Sequence, residues 1–306
     1  MIRKGVRRPV VAGVSPFLDR RPVVGWAASE AVRRGLPLRL VHVCQDLRWF
    51  GLSRVDRLSG REECYGLRAQ GEAVLREVAA AVRLTHPDLE VSATLATGEP
   101  AAVLAAESRG AELVVVGTHD QGRFADLVLG SVAREVILRS AAPVVTVPQL
   151  DRPARVGEGP VVVGVDGTEV SQAALEFGLE EASRTGVQLY AVHCWLTPPD
   201  RADRPLIRDE ERRVLAEALA GVGEHHPDVR VVPVLSGADP AEELLCRSRV
   251  ASLVAVGSRG RRPLAAAVLG SVSRDVVRHS CCPIAVVCPG PPTPRIPKAR
   301  TAEGVR

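Results

Sequence analysis

Two stretches of the 306-residue chain carry residue types whose spacing could do chemistry. Gly257-Ser258-Arg259-Gly260 ends an apolar run, nine residues follow, and Gly270-Ser271 then opens an amphipathic segment with Val272, Val276 and Val277 on one face. A near copy runs through Gly117-Thr118-His119-Asp120 to Gly130-Ser131 and Val132. Glycines let a ligand approach the backbone with no Cβ in the way, and a helix opening at the second glycine aims free N–H groups and a positive dipole end outward. That chemistry is anion binding, of a phosphate above all, with the Ser271 hydroxyl as a further donor. Arg259, Arg261 and Arg262 could add charge, and His119 could do so in the first copy. A serine at such a place is also an ordinary helix cap, and two glycines are common in any loop.

A third group supports the ligand reading. Gly164-Val165-Asp166-Gly167-Thr168 ends another apolar run, and Asp166 there could accept from ribose hydroxyls or base amines, or merely cap the next turn.

These residues are positioned by a repeat. Gly117, Gly130, Ser131 and Pro143 recur as Gly257, Gly270, Ser271 and Pro283, and His86-Pro87-Asp88 recurs as His226-Pro227-Asp228, all displaced by 140. Upstream the displacement is 151, from Gly13-Val14 to Gly164-Val165 and from Val41-His42 to Val192-His193, so the first copy holds eleven more residues between Val43 and His86. So long a period means duplicated domains, not a solenoid.

Within each copy short runs rich in β-branched residues alternate with helical patterns. Strands are expected at Val10 to Val14, Leu38 to Val43, Glu90 to Leu95, Leu113 to Val116 and Val144 to Val147. The second set is Val161 to Val165, Gln188 to Cys194, Val229 to Leu235, Leu253 to Val256 and Ile284 to Val287. Long links are expected at Gln45 to Arg68 and Leu196 to Asp209, leading into helices that end near Leu84 and His225. Pro22 suits an opening turn before Trp26 and Ala31, Val170, Ala173, Ala174 and Phe177 give the later helix an apolar face, and Asp239 can cap a helix starting at Pro240. Alternation of this kind predicts two tandem, open, doubly wound parallel α/β sheets of five strands. Ligands in such sheets sit beyond the carboxyl ends of the strands where the order reverses, which is where the three motifs fall. Residues 1–148 form the first domain, 149–160 a linker mixing Pro, Gly and charge, 161–289 the second domain, and 290–306 a disordered tail.

Composition excludes several classes. No run approaches the roughly 18 apolar residues of a membrane span, and MIRKGVRRP has no apolar stretch behind its charges, so a cytoplasmic protein is expected. A net charge of +4, with arginine interspersed among acids and few aromatic residues, does not describe a nucleic-acid surface. Seven cysteines without metal-ligand spacing are expected as reduced, buried thiols, vicinal Cys281 and Cys282 being the pair with redox or metal potential. His42 and His193 recur at one place, as a ligand or base would, but inside an apolar strand a core histidine is the simpler reading.

Taken together, the motifs resemble the universal stress protein family in its tandem form, over nearly the whole chain apart from linker and termini. The family pattern of glycine, two residues, glycine, nine residues, glycine and serine or threonine is met at Gly257, Gly260, Gly270 and Ser271. The resemblance implies an ATP-binding Rossmann-like domain. It puts Gly164, Val165 and Asp166 near base and ribose, the backbone of Cys194 and Val256 around the adenine, and Val272 at the phosphate end. Magnesium would accompany the phosphates. The weaker equivalents in the first copy are Val43, Val116, Gly117, Gly130, Ser131 and Val132. There Ser15 replaces the aspartate and Asp120 the second glycine, so that copy is expected to be degenerate, although Gly122 leaves room for a rearranged loop.

The resemblance also implies that the fifth strands, Val144 to Val147 and Ile284 to Val287, pair within the chain about a pseudo-twofold axis, with room for a homodimer beyond. No GxxxxGK[ST] loop is present, no acidic pair stands out for two metals, and the only lysines are Lys4 and Lys298. No catalytic residue or metal ligand is assigned. An ATP-bound regulator that signals to a protein partner is expected, with two alternatives open: a slow ATP hydrolase in which Asp166 or Ser271 orders water or metal, and a nucleotide-free interaction scaffold.

Overall fold

A computed structural model describes residues 7–16, 20–44, 59–118, 130–149, 158–195, 204–258 and 269–288. The linker from 150 to 157 and everything after 288 lie outside them, as do His119, Asp120, Gly122, Arg259, Gly260, Arg261 and Arg262.

The first half runs β1 (Val10–Gly13), α1 (Arg20–Arg34), β2 (Leu38–Cys44), α2 (Ser59–Thr85), β3 (Val91–Thr97), α3 (Pro100–Glu107), β4 (Leu113–Gly117), α4 (Ser131–Arg139) and β5 (Val144–Val147). The second runs β6 (Val161–Gly164), α5 (Glu169–Thr185), β7 (Leu189–Cys194), α6 (Arg204–Ala218), α7 (Val222–His225), β8 (Val231–Ser236), α8 (Pro240–Ser248), β9 (Leu253–Gly257), α9 (Ser271–His279) and β10 (Ile284–Val287). All ten expected strands are present. The links are shorter than their composition implies, because α2 begins at Ser59 and α6 at Arg204. The helix expected to end near His225 is broken, with Gly221 at φ 77° between α6 and α7, a conformation that glycine adopts without strain.

Each half is parallel, in the order third, second, first, fourth, fifth strand. Together they form one ten-stranded sheet ordered β3-β2-β1-β4-β5-β10-β9-β6-β7-β8. The join is the expected seam: β10 runs antiparallel to β5, with Ile284 opposite Thr146, Ala285 opposite Val145 and Val286 opposite Val144. Thr146, fully buried there, donates its hydroxyl to the Ile284 carbonyl at 3.4 Å.

Alternation along the strands builds two cores. Val10, Ala12, Leu113, Val115, Val145 and their second-half counterparts face α1, α2, α5 and α6, whereas Val11, Val114, Val116, Val144 and theirs face α3, α4, α8 and α9. Both cores are continuous across the seam, so its strands are covered on both faces, as parallel-sheet sequences demand.

Helix starts follow local chemistry. Asp239 caps α8, accepting from Ala241 N at 2.8 Å and Glu242 N at 3.2 Å, with Pro240 in the first position. Glu99 does the same for α3. Asp239→Ala should lower stability by about 1 kcal/mol, read as a shift of the urea midpoint at unchanged slope; a midpoint within error of wild type would deny the cap its weight.

Thiol burial was expected too broadly. Among the described cysteines Cys282 is buried, but Cys246 and Cys281 are exposed and Cys44, Cys194 and Cys288 are intermediate, none of them joined in a disulfide. The apolar neighbours of Cys246 and Cys281 in sequence do not decide which way a residue at a helix face or turn points.

Candidate functional site

The order β10-β9-β6-β7 reverses between β6 and β9, so the carboxyl ends of these two strands open a crevice. Asp166 follows β6 there, Gly257 ends β9, and Cys194 ends the neighbouring β7.

The loop after β6 is held by its own polar groups. Asp166 Oδ1 accepts from Thr168 N at 3.0 Å and from the Thr168 hydroxyl at 2.6 Å. Thr168, not Asp166, caps α5, taking Ser171 N on its Oγ1 at 3.2 Å. Ser171 Oγ in turn accepts from Asp166 N at 3.2 Å. The carboxylate is therefore oriented by the turn at the mouth of the sheet, and the capping and ligand roles weighed for it are compatible. Gly164 has a packing reason: a Cβ there would stand 3.2 Å from Leu244 of α8, behind the sheet.

The loop after β9 is closed at its base. Ser258 N donates to Val287 O at 2.9 Å, and Gly270 N donates back to Ser258 O at 3.1 Å. The same closure in the first half joins Gly130 N to Thr118 O at 3.0 Å. Ser273 adds a bond that motif reading did not find: its buried hydroxyl donates to Gly257 O at 2.6 Å. Ala133 stands at the equivalent position, so the repeat alignment itself held that signal.

The N-cap of α9 is Gly270, and Ser271 is the first helical residue instead of the cap. The N-cap side chains of α3, α5 and α8 satisfy first-turn N–H groups, whereas the N-caps of α9 and α4 are glycines, Gly270 and Gly130, with no side chain to do so. Unsatisfied N–H groups at a helix start are the anion site of this fold class. Beside them the Ser258 hydroxyl is 6% exposed as a residue and finds no hydrogen-bond partner among the described residues. A buried hydroxyl without a partner is costly, and a ligand oxygen would relieve it. Val256 is buried and Val272 partly buried next to these groups.

The far end of the crevice has a different character. Burial first, then the charges of Glu243 and Asp239, pushes the Cys194 thiol up to about 12. Cys194 is thus a neutral thiol, with Arg247, paired to Glu243 at 2.6 Å, only partly offsetting the two carboxylates. The two ends differ: a neutral thiol with a Glu243–Arg247 pair nearby on the β7 side, and helix N–H groups on the β9 side.

In the first half Val43, Val116, Gly117, Gly130, Ser131 and Val132 occupy equivalent places at the ends of β2 and β4 and the start of α4. Ser15 follows β1 where Asp166 follows β6. His42 and His193 are core residues, 6% and 1% exposed, each with Nδ1 on a backbone carbonyl, at 2.8 Å from Val14 O and 2.7 Å from Val165 O. Among the described residues no helix is long and apolar enough to cross a membrane, and no group of three or more His, Cys, Asp or Glu could hold a metal.

The universal stress protein family model matches twice, over residues 7–148 and 159–288. A universal stress protein of Mycobacterium tuberculosis is 34% identical over 308 residues, covering 94% of this chain and 97% of its own. Another, from Mycolicibacterium smegmatis, is 34% identical over 299 residues, covering 94% and 100%. Among solved structures, a universal stress protein from Archaeoglobus fulgidus aligns over 92% of this chain and 96% of its own with a TM-score of 0.70 at 20% identity, a likeness of fold.

Proposed function

The chain belongs to the universal stress protein family, in two tandem copies, and on that premise we propose that its second half binds ATP as a regulatory ligand. The observation that carries this reading is the glycine N-cap of α9 beside the Ser258 hydroxyl, which finds no partner among the described residues, in the half that also keeps Asp166. The base lies against the β7 end near Cys194 and Val256, the ribose meets Asp166, and the phosphates meet Gly257, Gly260, Gly270, Ser271 and Val272. Magnesium travels with the phosphates. The first half, with Ser15 and Asp120, serves as a structural partner.

ATP acts here as a signal more than a substrate. A bound nucleotide that prefers one arrangement of the halves, or of the chain with a partner or second copy, shifts that population by its differential affinity. Slow hydrolysis would end the signal without changing its basis.

Calorimetry with ATP should give one site per chain, and mass spectrometry of the purified protein should find adenine nucleotide at no more than one equivalent. Two equivalent sites would refute the inequality of the halves. Neither retained nor titratable nucleotide would instead favour a scaffold, and phosphate release under single-turnover conditions would make the protein a hydrolase.

A further inference from the structure

One pair behind the crevice, a buried histidine and a partly buried glutamate, has no part in the nucleotide contacts. His193, on β7, places Nε2 2.6 Å from Glu211 Oε2 on α6 while its Nδ1 faces Val165 O at 2.7 Å. A carbonyl only accepts, so Nδ1 carries a hydrogen. The contact with the carboxylate needs a second one, held on the line between Nε2 and Oε2 whether the ring or the acid owns it. The imidazole is thereby fixed at both nitrogens, as metal-ligating and catalytic histidines are fixed by an outer partner.

What it fixes is the residue before Asp166. The helix also reaches the residue after it: a Cβ on Gly167, which has φ 80°, would stand 2.9 Å from Val214 Cγ1 of α6. Asp166 thus lies between two backbone units that α6 approaches, one through the Glu211–His193 pair and one where Val214 leaves room for glycine alone.

Among the described residues the first half does not repeat this arrangement. His42 still meets the Val14 carbonyl, but the position equivalent to Glu211, 140 residues earlier, is Gly71, where a Cβ would come within 2.5 Å of His42 Cδ2. The acid accompanies Asp166, and the glycine accompanies Ser15.

We propose that Glu211 is a positioning residue of the nucleotide site: through His193 it sets the Val165 carbonyl and hence the place of the Asp166 carboxylate, and it links α6 to occupancy of the crevice. This rests on the second half being the ATP site. Glu211 itself touches no ligand.

The test is calorimetry with ATP on wild type, Glu211→Gln and Glu211→Gly, each checked for folding by circular dichroism, with ¹⁵N-edited NMR of the His193 ring. With the Nδ1 hydrogen given to the Val165 carbonyl, the neutral ring leaves Nε2 as an acceptor to which a glutamine side-chain N–H can donate, so Glu211→Gln should bind within about twofold of wild type. Glu211→Gly, which writes the first half's residue into the second, should bind about tenfold more weakly, the effect expected of an outer partner. In wild type the His193 ring signals should shift when ATP is added. A folded Glu211→Gly that binds like wild type, a Glu211→Gln as weak as the glycine variant, or ring signals blind to ATP would each overturn the proposal. The ring signals keep it open to refutation even if Glu211→Gly does not fold. Wild type that binds no ATP would bring down the nucleotide reading itself, and this inference with it.

Discussion

Arg34→Leu should destabilise the protein by about 3–5 kcal/mol, the range for removing one member of a buried ionic cluster, and by more at pH 8 than at pH 6. Arg34 leaves the first half and enters the second, its side chain 4% exposed. It bonds Glu30 on its own helix and Glu181 on α5, lies 3.3 Å from Glu112, and stacks 5.4 Å from the centre of the Phe177 ring. Arg33 also bonds Glu30, and Arg184 bonds Glu181 at 3.0 Å. Glu30 and Glu181 are themselves equivalents displaced by 151, facing each other near the pseudo-twofold axis, but the partner expected for Arg34 in the second half is Thr185. Arg34 alone reaches both buried carboxyls, while the more exposed Arg33 and Arg184 reach one each.

The pH dependence follows from the burial of the two carboxyls and their closeness to each other. Burial pushes Glu30 up, but Arg34 and Arg33 outweigh it and hold its carboxyl below the ordinary range. Burial, then the Glu30 charge, pushes Glu181 up to about 7, only partly opposed by Arg34 and Arg184. A carboxyl raised in the folded state contributes stability that is present below its ordinary value of 4.5 and lost as pH rises through about 7. Wild type should accordingly lose stability between pH 5 and pH 8, with a slope of at most about 1.4 kcal/mol per pH unit for one proton, and Glu181→Gln should flatten it. Without Arg34 the two carboxyls repel each other most where both are charged, hence the larger loss at pH 8. Urea midpoints of the variants at both pH values decide this. A loss independent of pH would mean that Arg34 acts through its packing on Phe177 alone. Replacing all three groups, Glu30→Gln, Arg34→Leu and Glu181→Leu together, should recover most of the stability, because the uncompensated charge and not the missing bridge carries the penalty.

This cluster marks the boundary of what the sequence discloses. The repeat displays Glu30 and Glu181 as counterparts, yet nothing in one dimension says that α1 meets α5 across the seam, which depends on β5 and β10 pairing antiparallel. Strands were legible because residues buried on both faces must be apolar throughout, and the α8 cap because Asp239-Pro240 satisfies a local rule needing no tertiary partner. The ends of the crevice were legible for the same reason: glycine, aspartate and serine at strand ends are local signals. What supports them was not. His193–Glu211 and Ser273–Gly257 join elements through side chains whose partners lie 18 and 16 residues away in other elements. Only the comparison of copies, Gly71 for Glu211 and Ala133 for Ser273, points to them.

Gly260→Asp should weaken ATP binding by a hundredfold or more and leave the fold unchanged. The substitution transfers Asp120 of the first half into the second, and the two loops are comparable because their bases are closed alike, Gly270 to Ser258 and Gly130 to Thr118. A carboxylate at about 6 Å from one phosphate charge, at an effective dielectric of about 20, is repelled by about 3 kcal/mol before screening. Screening by salt should soften this, so the ratio of wild-type to variant affinity should shrink as ionic strength rises. The urea midpoint of the variant should match wild type, so that the lost affinity is read on a folded protein. A variant that retains ATP with near wild-type affinity would mean the phosphates do not pass Gly260, and the orientation assigned to the nucleotide would have to be reversed. The reciprocal exchange probes the other half. If Asp120 and Ser15 are what silenced it, Ser15→Asp with Asp120→Gly should create a second, weaker calorimetric site, weaker because Gly71 leaves His42 without the acid that Glu211 supplies to His193.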